Sequence, residues 1–315
     1  MFTAEGQRPR NVPRVGFLTT LGSSSPTFEA FRQGLSELGY VENENVVIEP
    51  RFADGQYARF PELTTELIRL KVDVIALLGA VTARAVKKIV SDLPVVFAIV
   101  VDPVADAVVT NMEHPGGNIT GATTFDPQQP RKQLQLLKEA IPGVKRVGIL
   151  GDEGISQALM NANEEQARAL GLETQRSRVV APNPDFEGVF AVFGAGHVDA
   201  VLVLEEPVPV IHAKRIAELA AEYRIPTMFS PVRADAGGLI AYGTSLNEGM
   251  RRMGTYVDKI LKGAKPGDLP VERVTRYELI VNLNTARQIG VTIPAEILKR
   301  ADRIIEEAQF AGRVA

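Results

Sequence analysis

The chain has 315 residues, with 35 Lys plus Arg against 38 Asp plus Glu and no cysteine. A hydrophobic share of 45% with 23% charged residues is that of an ordinary globular protein of about two domains, which excludes collagen-like, disordered and low-complexity classes. The net charge of −3 leaves no positive excess for nucleic acid, and the missing cysteines remove disulfides, thiol nucleophiles, iron–sulfur clusters and Cys-ligated zinc.

In chain order, short apolar runs alternate with segments of helical period. Val15 to Leu18 is the first strand-sized run, and Pro26 to Leu38 follows with Phe28, Phe31, Leu35 and Leu38 on one apolar face. Val46 to Ile48, the helical Tyr57 to Leu70, Val74 to Leu78, the helical Val81 to Val90 and Val95 to Val101 repeat the pattern. After the helical Gln128 to Ile141 it starts again with Val147 to Leu150, Ile155 to Leu170, Ala200 to Leu204, Val210 to Tyr223 and Thr227 to Phe229. Leu239 to Tyr242, the helical Glu248 to Leu261 and Leu279 to Val281 complete it. Several runs are apolar at consecutive positions, as in strands covered on both faces, which predicts parallel sheets in an α/β fold.

No apolar run reaches the ~18 residues that cross a bilayer. Met1 to Val12 is polar and lacks the apolar centre of a secretory signal. Two expectations stay open: a cytosolic protein, or one whose leader has been removed.

The two halves echo each other. Arg14-Val15-Gly16 returns as Arg146-Val147-Gly148, and the same offset carries Leu38-Gly39 onto Leu170-Gly171, Pro94 onto Pro226 and Phe97 onto Phe229. Pro115-Gly116-Gly117-Asn118-Ile119 echoes Ala236-Gly237-Gly238-Leu239-Ile240 at a shorter offset. Two similar βα lobes are therefore expected.

Catalytic and metal motifs are missing. His114, His197 and His212 stand far apart without partners at metal-ligand spacing, and no phosphate loop occurs. Gly194-Ala195-Gly196-His197-Val198-Asp199 lacks the third glycine of a dinucleotide fingerprint and precedes a strand, so it reads as a turn. The serine-hydrolase elbow is absent as well. No cofactor, no metal and no enzymatic activity are expected.

In open α/β sheets ligands bind beyond the carboxyl ends of the strands, where helix N-termini offer free N–H groups. The first such loop carries Ser23, Ser24 and Ser25 before Pro26, and the third carries Gly79, Ala80 and Thr82. Asp102 ends the fourth strand, and Glu205 and Glu206 end a strand of the second half before Pro207. Asp152 to Ser156 and Phe229-Ser230 supply the matching loops of that half. Each hydroxyl or carboxylate serves equally well as a helix cap, and Phe229 equally well as core.

These residues resemble a known family. Arg14 to Phe17, Phe31 to Leu35, Leu38-Gly39-Tyr40-Val41-Glu42, Asp73-Val74-Ile75, Asp102-Pro103-Val104 and Pro115 to Gly121 carry the likeness in the first half. Ala236-Gly237-Gly238-Leu239, Ile260 to Pro266 and Tyr277 to Asn282 carry it in the second. Together they are similar to the substrate-binding proteins of ABC transporters, in the group with tryptophan- and other aromatic amino acid-binding members.

The resemblance implies a type I periplasmic-binding-protein fold of two doubly wound, Rossmann-like lobes. Lobe 1 is expected over 13–122 plus 246–280 and lobe 2 over 123–245 plus 281–308, with 1–12 as a disordered or expression-derived tail. Three crossing segments are expected near Gly121 to Phe125, Tyr242 to Leu246 and Ile280 to Asn284. The implied ligand contacts are Ser23, Ser24, Ser25, Gly79, Ala80, Thr82, Asp102, Thr123 and Thr124, with Ser156, Glu206, Phe229 and Ser230 from the second lobe. Against the family pattern, Gly79-Ala80-Val81 replaces Gly-Thr-Pro or Gly-Ser-Pro, Gly151-Asp152-Glu153-Gly154 replaces an Asn-rich loop, and Glu206-Pro207 replaces Asp-Pro.

The expected function is that of a monomeric, exported solute receptor. It would capture a small molecule, an amino acid of aromatic or branched kind first, and deliver it to a membrane permease and its ATPase from the periplasm or cell exterior. The alternatives are a ligand sensor and an enzyme on the same scaffold. A repressor-type sensor needs a helix-turn-helix before the first strand, and the residues preceding Arg14 contain none.

Overall fold

A computed structural model describes residues 12–306 apart from Ser24 and Phe125. The tail expected over 1–12 lies outside the described residues except for Val12. The first lobe opens with β1 (Arg14–Thr19), α1 (Pro26–Ser36), β2 (Val47–Phe52), α2 (Phe60–Arg69), β3 (Val74–Leu78), α3 (Ala80–Lys87), β4 (Val95–Val100) and β5 (Ile119–Thr123). The second lobe follows with α4 (Gln129–Ala140), β6 (Arg146–Asp152), α5 (Gln157–Ala169), β7 (Glu173–Val179), α6 (Phe186–Ala195) and β8 (Ala200–Val203). It continues with α7 (Pro207–Ile211), α8 (Ala213–Glu222), β9 (Thr227–Phe229) and β10 (Ile240–Thr244). The chain returns to the first lobe for α9 (Leu246–Leu261) and β11 (Glu272–Arg273), then ends in the second with β12 (Tyr277–Asn282), α10 (Leu283–Ile289), α11 (Ala295–Arg300) and β13 (Arg303–Ile305).

The first sheet runs β11-β5-β4-β3-β1-β2 and the second β13-β12-β10-β9-β8-β6-β7. Removing the late strands leaves the same doubly wound order in both, and each reverses direction beside its first strand, which opens a crevice there. The sequence echoes map onto equivalent places. Arg14 and Arg146 begin β1 and β6, while Phe97 and Phe229 lie in β4 and β9.

Every strand pair is parallel except β10 with β12. Val74 to Leu78 of β3 are all buried, as expected of a strand covered on both faces. On one side of the first sheet, α1 buries Phe31 and Leu35 beside Met250, Met253, Tyr256 and Val257 of α9. Their backbones touch at Gly34 and Gly254, where a β-carbon on Gly34 would stand 3.1 Å from the Met250 carbonyl.

One crossing differs from expectation. Glu272 and Arg273 pair with Ala122 and Thr123 of the first sheet, whereas Tyr277 pairs with Thr244 of the second. The chain therefore changes lobes between Arg273 and Tyr277 instead of near Ile280 to Asn284, and residues 277–280 lie in the second sheet. The polar edge strand β7, with sequence ETQRSRV, gave no apolar run and was not expected. Helix α6, which was not singled out, buries Phe186, Val189, Phe190 and Phe193, the i, i+3, i+4, i+7 spacing of one helical face.

Candidate functional site

The carboxyl ends of the two sheets face each other across one cleft. From the first lobe, Thr19 ends β1 and Thr20 follows it, and Gly79 and Ala80 follow β3. Gly79 stands at φ +81°, a left-handed angle that glycine adopts without penalty, and is the N-cap of α3. The first backbone N–H groups of α3 have no intrahelical partners, so this end offers donors and partial positive charge to an anionic group. Behind them the Thr82 hydroxyl pairs with that of Thr20 at 3.2 Å. The register of β4 on β5 shifts between Phe97 and Val100, and Ile99, at φ +53°, turns out of the sheet to line the cleft.

The second lobe answers with carboxylates. Glu205 and Glu206 follow β8, beside Pro207 and Val210 of α7 and Val232 after β9. With Asp106 they border a chamber of about 50 Å3. Protein surrounds both glutamates although each keeps some surface on the chamber. Burial pushes Glu205 up to about 7, against a hydrogen bond from Ser230 that lowers it. Burial and the neighbouring Asp152 and Asp106 hold Glu206 well above the usual carboxylate range, with Arg84 opposing. Burial also raises Asp106, although its carboxylate accepts a hydrogen bond from Arg84 at 3.1 Å.

Direct contacts already join the lobes. The Tyr57 hydroxyl, in the turn before α2, donates to Asp152 Oδ2 at 2.8 Å, and the Val208 N–H donates to the same oxygen at 3.0 Å. Arg84 reaches across from α3 and donates to the Gly154 carbonyl at 3.1 Å. Gly154 sits hard against α3, where a β-carbon would come within 2.6 Å of Val81 Cγ2. Burial, then the Asp152 charge, raises the Tyr57 phenol, so it stays a donor.

Val101, Glu205 and Glu206 also border a second chamber of about 230 Å3 near the first crossing. Asp102 lines it from the first lobe, Thr124 and Asp126 from the crossing, Gln129 from the start of α4, and Ile155, Leu159 and Asn163 from the loop after β6 and α5. No lysine or arginine lines either chamber among the described residues. The same residues offer no group of three or more His, Cys, Asp or Glu that could hold a metal ion.

The family described as "ABC transporter substrate binding protein" matches residues 22–305. The chain belongs to this family. A curated relative, the "Tyrosine-binding protein" of Clostridioides difficile, is 23% identical over 266 residues, covering 84% of this chain and 76% of that protein. A solved structure of an ABC domain in complex with L-Trp from Streptococcus pneumonia is 24% identical with a TM-score of 0.83, covering 93% of this chain and 99% of that one. A conserved domain protein from Vibrio cholerae is 25% identical with a TM-score of 0.84 over the same shares. The fold is the type I periplasmic-binding-protein fold, shared with a leucine-binding protein from Thermotoga maritima at a TM-score of 0.59, which is 16% identical and matches over 88% of this chain and 87% of that one. Family members bind a substrate for a transporter and are not enzymes.

Within this ABC substrate-binding protein, the residues expected at the site separate into four groups. Gly79, Ala80, Asp102, Thr124 and Glu206 line the chambers. Thr82 and Thr123 are buried just behind, the latter donating to the Val100 carbonyl, and Ser230 reaches the site through Glu205. Ser25 and Ser156 are helix caps, accepting from Thr27 and Leu159 N–H groups, because a serine before a first helical turn finds its nearest donor there. Phe229 packs in the second-lobe core, Ser23 is exposed away from the chambers, and Ser24 lies outside the described residues. Thr20 belongs to the first strand-end loop, whereas Tyr57, Arg84, Asp106 and Asn163 were not singled out. Tyr57 and Arg84 reach the cleft from a turn and a helix interior, and no motif marks them.

Proposed function

We propose that this protein captures an aromatic amino acid between its lobes and delivers it to a membrane permease and its ATPase. The observation that carries this reading is the pairing of opposite partial charges across one cleft. Free N–H groups at the start of α3 suit a ligand carboxylate, and Glu205 and Glu206 opposite suit its ammonium. No lysine or arginine is among the described lining residues, and Arg84, the cation that acts on Glu206, is hydrogen-bonded to Asp106, so a ligand ammonium would bring the two glutamates a positive charge of their own.

A ligand touching both faces stabilises the closed arrangement by its differential affinity, and the three crossings act as the hinge. The tyrosine- and tryptophan-binding relatives support the aromatic class. Export to the periplasm or cell exterior and a monomeric receptor complete the reading. Isothermal titration of the purified protein with the twenty amino acids tests it. Saturable binding of an aromatic amino acid, lost by at least a hundredfold in Glu206→Gln, is the expected result. Binding that survives unchanged in Glu206→Gln removes the glutamate from the ammonium site.

A further inference from the structure

One residue of the cleft stands in a backbone conformation that its side chain disfavours. Strand β4 is buried at every position except Ile99, and Ile99 has φ +53°, a left-handed angle that is rare for a β-branched residue. The neighbouring strand is fitted to it. Phe97 pairs with Gly121 of β5 and Val100 with Thr123, so β4 places one more residue than β5 between these pairs. At Gly121 a β-carbon would collide with the Phe97 carbonyl, and glycine is what lets the two strands come that close. An extra residue of this kind re-aims a side chain. Here it aims Ile99, which lines the smaller chamber together with Gly79, Ala80, Glu205 and Glu206. Ile99 also joins the apolar cluster that takes in Val210, Ile211 and Val232 of the second lobe.

We infer that Ile99 is a specificity-determining residue: the bulge in β4 drives its side chain against the α-carbon end of the ligand, where it limits the bulk that the smaller chamber accepts. The inference rests on the proposed amino acid site, in which the N–H groups of α3 and the two glutamates hold the charged end of the ligand in this chamber. Core packing alone gives no reason for the conformation, because Ala98 and Val100 on either side are fully buried. Backbone strain persists only where the surrounding structure imposes it, and it gathers at ligand-binding sites. The chamber measures about 50 Å3, small enough for a single added methyl group to decide what fits. With Val210 and Val232 facing it from the second lobe on the same chamber, Ile99 forms a wall that is complete only with both lobes in place.

The test compares L-tyrosine, L-tryptophan and L-phenylalanine with their α-methyl derivatives by isothermal titration on the wild-type protein, Ile99→Ala and Ile99→Gly. Each derivative keeps the ring and both charges and adds one methyl group at the α-carbon. The wild type is expected to prefer the parent amino acid by at least tenfold, and both variants to narrow that ratio to less than about threefold. The two variants lose the same branched side chain, so their melting temperatures without ligand compare the backbone. Ile99→Gly is expected to melt about 2 °C above Ile99→Ala, the reverse of the order in an ordinary strand. Equal affinities for parent and derivative in the wild type, or a preference that persists in both variants, overturn the assignment and leave the amino acid site standing. Ile99→Gly melting below Ile99→Ala removes the strained conformation on which the assignment is built and overturns it. Failure of all three parent amino acids to bind a folded wild-type protein overturns both the site and the assignment.

Discussion

The Tyr57 hydroxyl donates to Asp152 Oδ2 at 2.8 Å, tying a turn of the first lobe to the last residue of the leading strand of the second. Asp152 is fully buried, and its other partners, the Gly154 and Val208 N–H groups, belong to its own lobe. The tyrosine is thus the one of these partners that reaches Asp152 from the other lobe. Tyr57→Phe is expected to weaken L-tyrosine binding by roughly tenfold, the scale of a hydrogen bond to a charged group. Titration calorimetry reads the loss, and small-angle scattering with ligand present should show a more extended particle.

Gly154 predicts a steric counterpart. Its Cα faces Val81 so closely that a methyl group would lie 2.6 Å from Cγ2, and a β-branched side chain in a helix has little rotamer freedom to withdraw. Gly154→Ala is expected to lower ligand affinity by tenfold or more while each lobe keeps its own core. Adding Val81→Ala should restore most of it, giving a coupling energy of about 1 kcal/mol or more in a double-mutant cycle.

Glu205 sets a pH-dependent stability. Its carboxyl titrates near 7 in the folded protein against 4.5 in the reference state, so the unfolded chain loses this proton first as pH rises. The native state is then penalised between those values, and stability falls as pH climbs through them. Glu205→Gln is expected to raise the melting temperature of the ligand-free protein by roughly 2 °C at about pH 8 and to leave it unchanged at about pH 4.

The same carboxyl gives ligand binding the opposite slope. An ammonium favours the ionised glutamate, so binding expels a proton that the free protein holds below about 7. Affinity for L-tyrosine should increase from about pH 5.5 to about pH 8, with net proton release seen as a dependence of the binding heat on buffer ionisation. A flat profile over that range would place the ligand ammonium away from Glu205.

The lobes were legible because strands buried on both faces write uninterrupted apolar runs, as Val74 to Leu78 do, and because the echo from Arg14 to Arg146 marks where the pattern restarts. The third crossing was misplaced because the apolar core of Tyr277–Asn282 looks the same whichever sheet receives it. Only the pairing of Tyr277 with Thr244 decides. At the site, sequence found the loops but not which atoms face the cleft. Ser25 and Ser156 carry the residue type of a ligand contact and are caps, since capping and ligand binding recruit the same hydroxyls at the same helix ends. Asn163 was missed because a polar residue breaks the apolar stripe of α5, although its spacing from Met160 and Ala167 puts it on the buried face.

Three crossings also impose an order of assembly. The face of α1 that carries Phe31 and Leu35 packs with Met250, Met253 and Tyr256 of α9, which are synthesised more than 200 positions later. A nascent chain threading out of a ribosome or a translocon therefore exposes this face of its first lobe until α9 has emerged. Neither lobe is a contiguous stretch that could be cut out and expressed alone, and a chain broken between α4 and α9 would strand that apolar face in water.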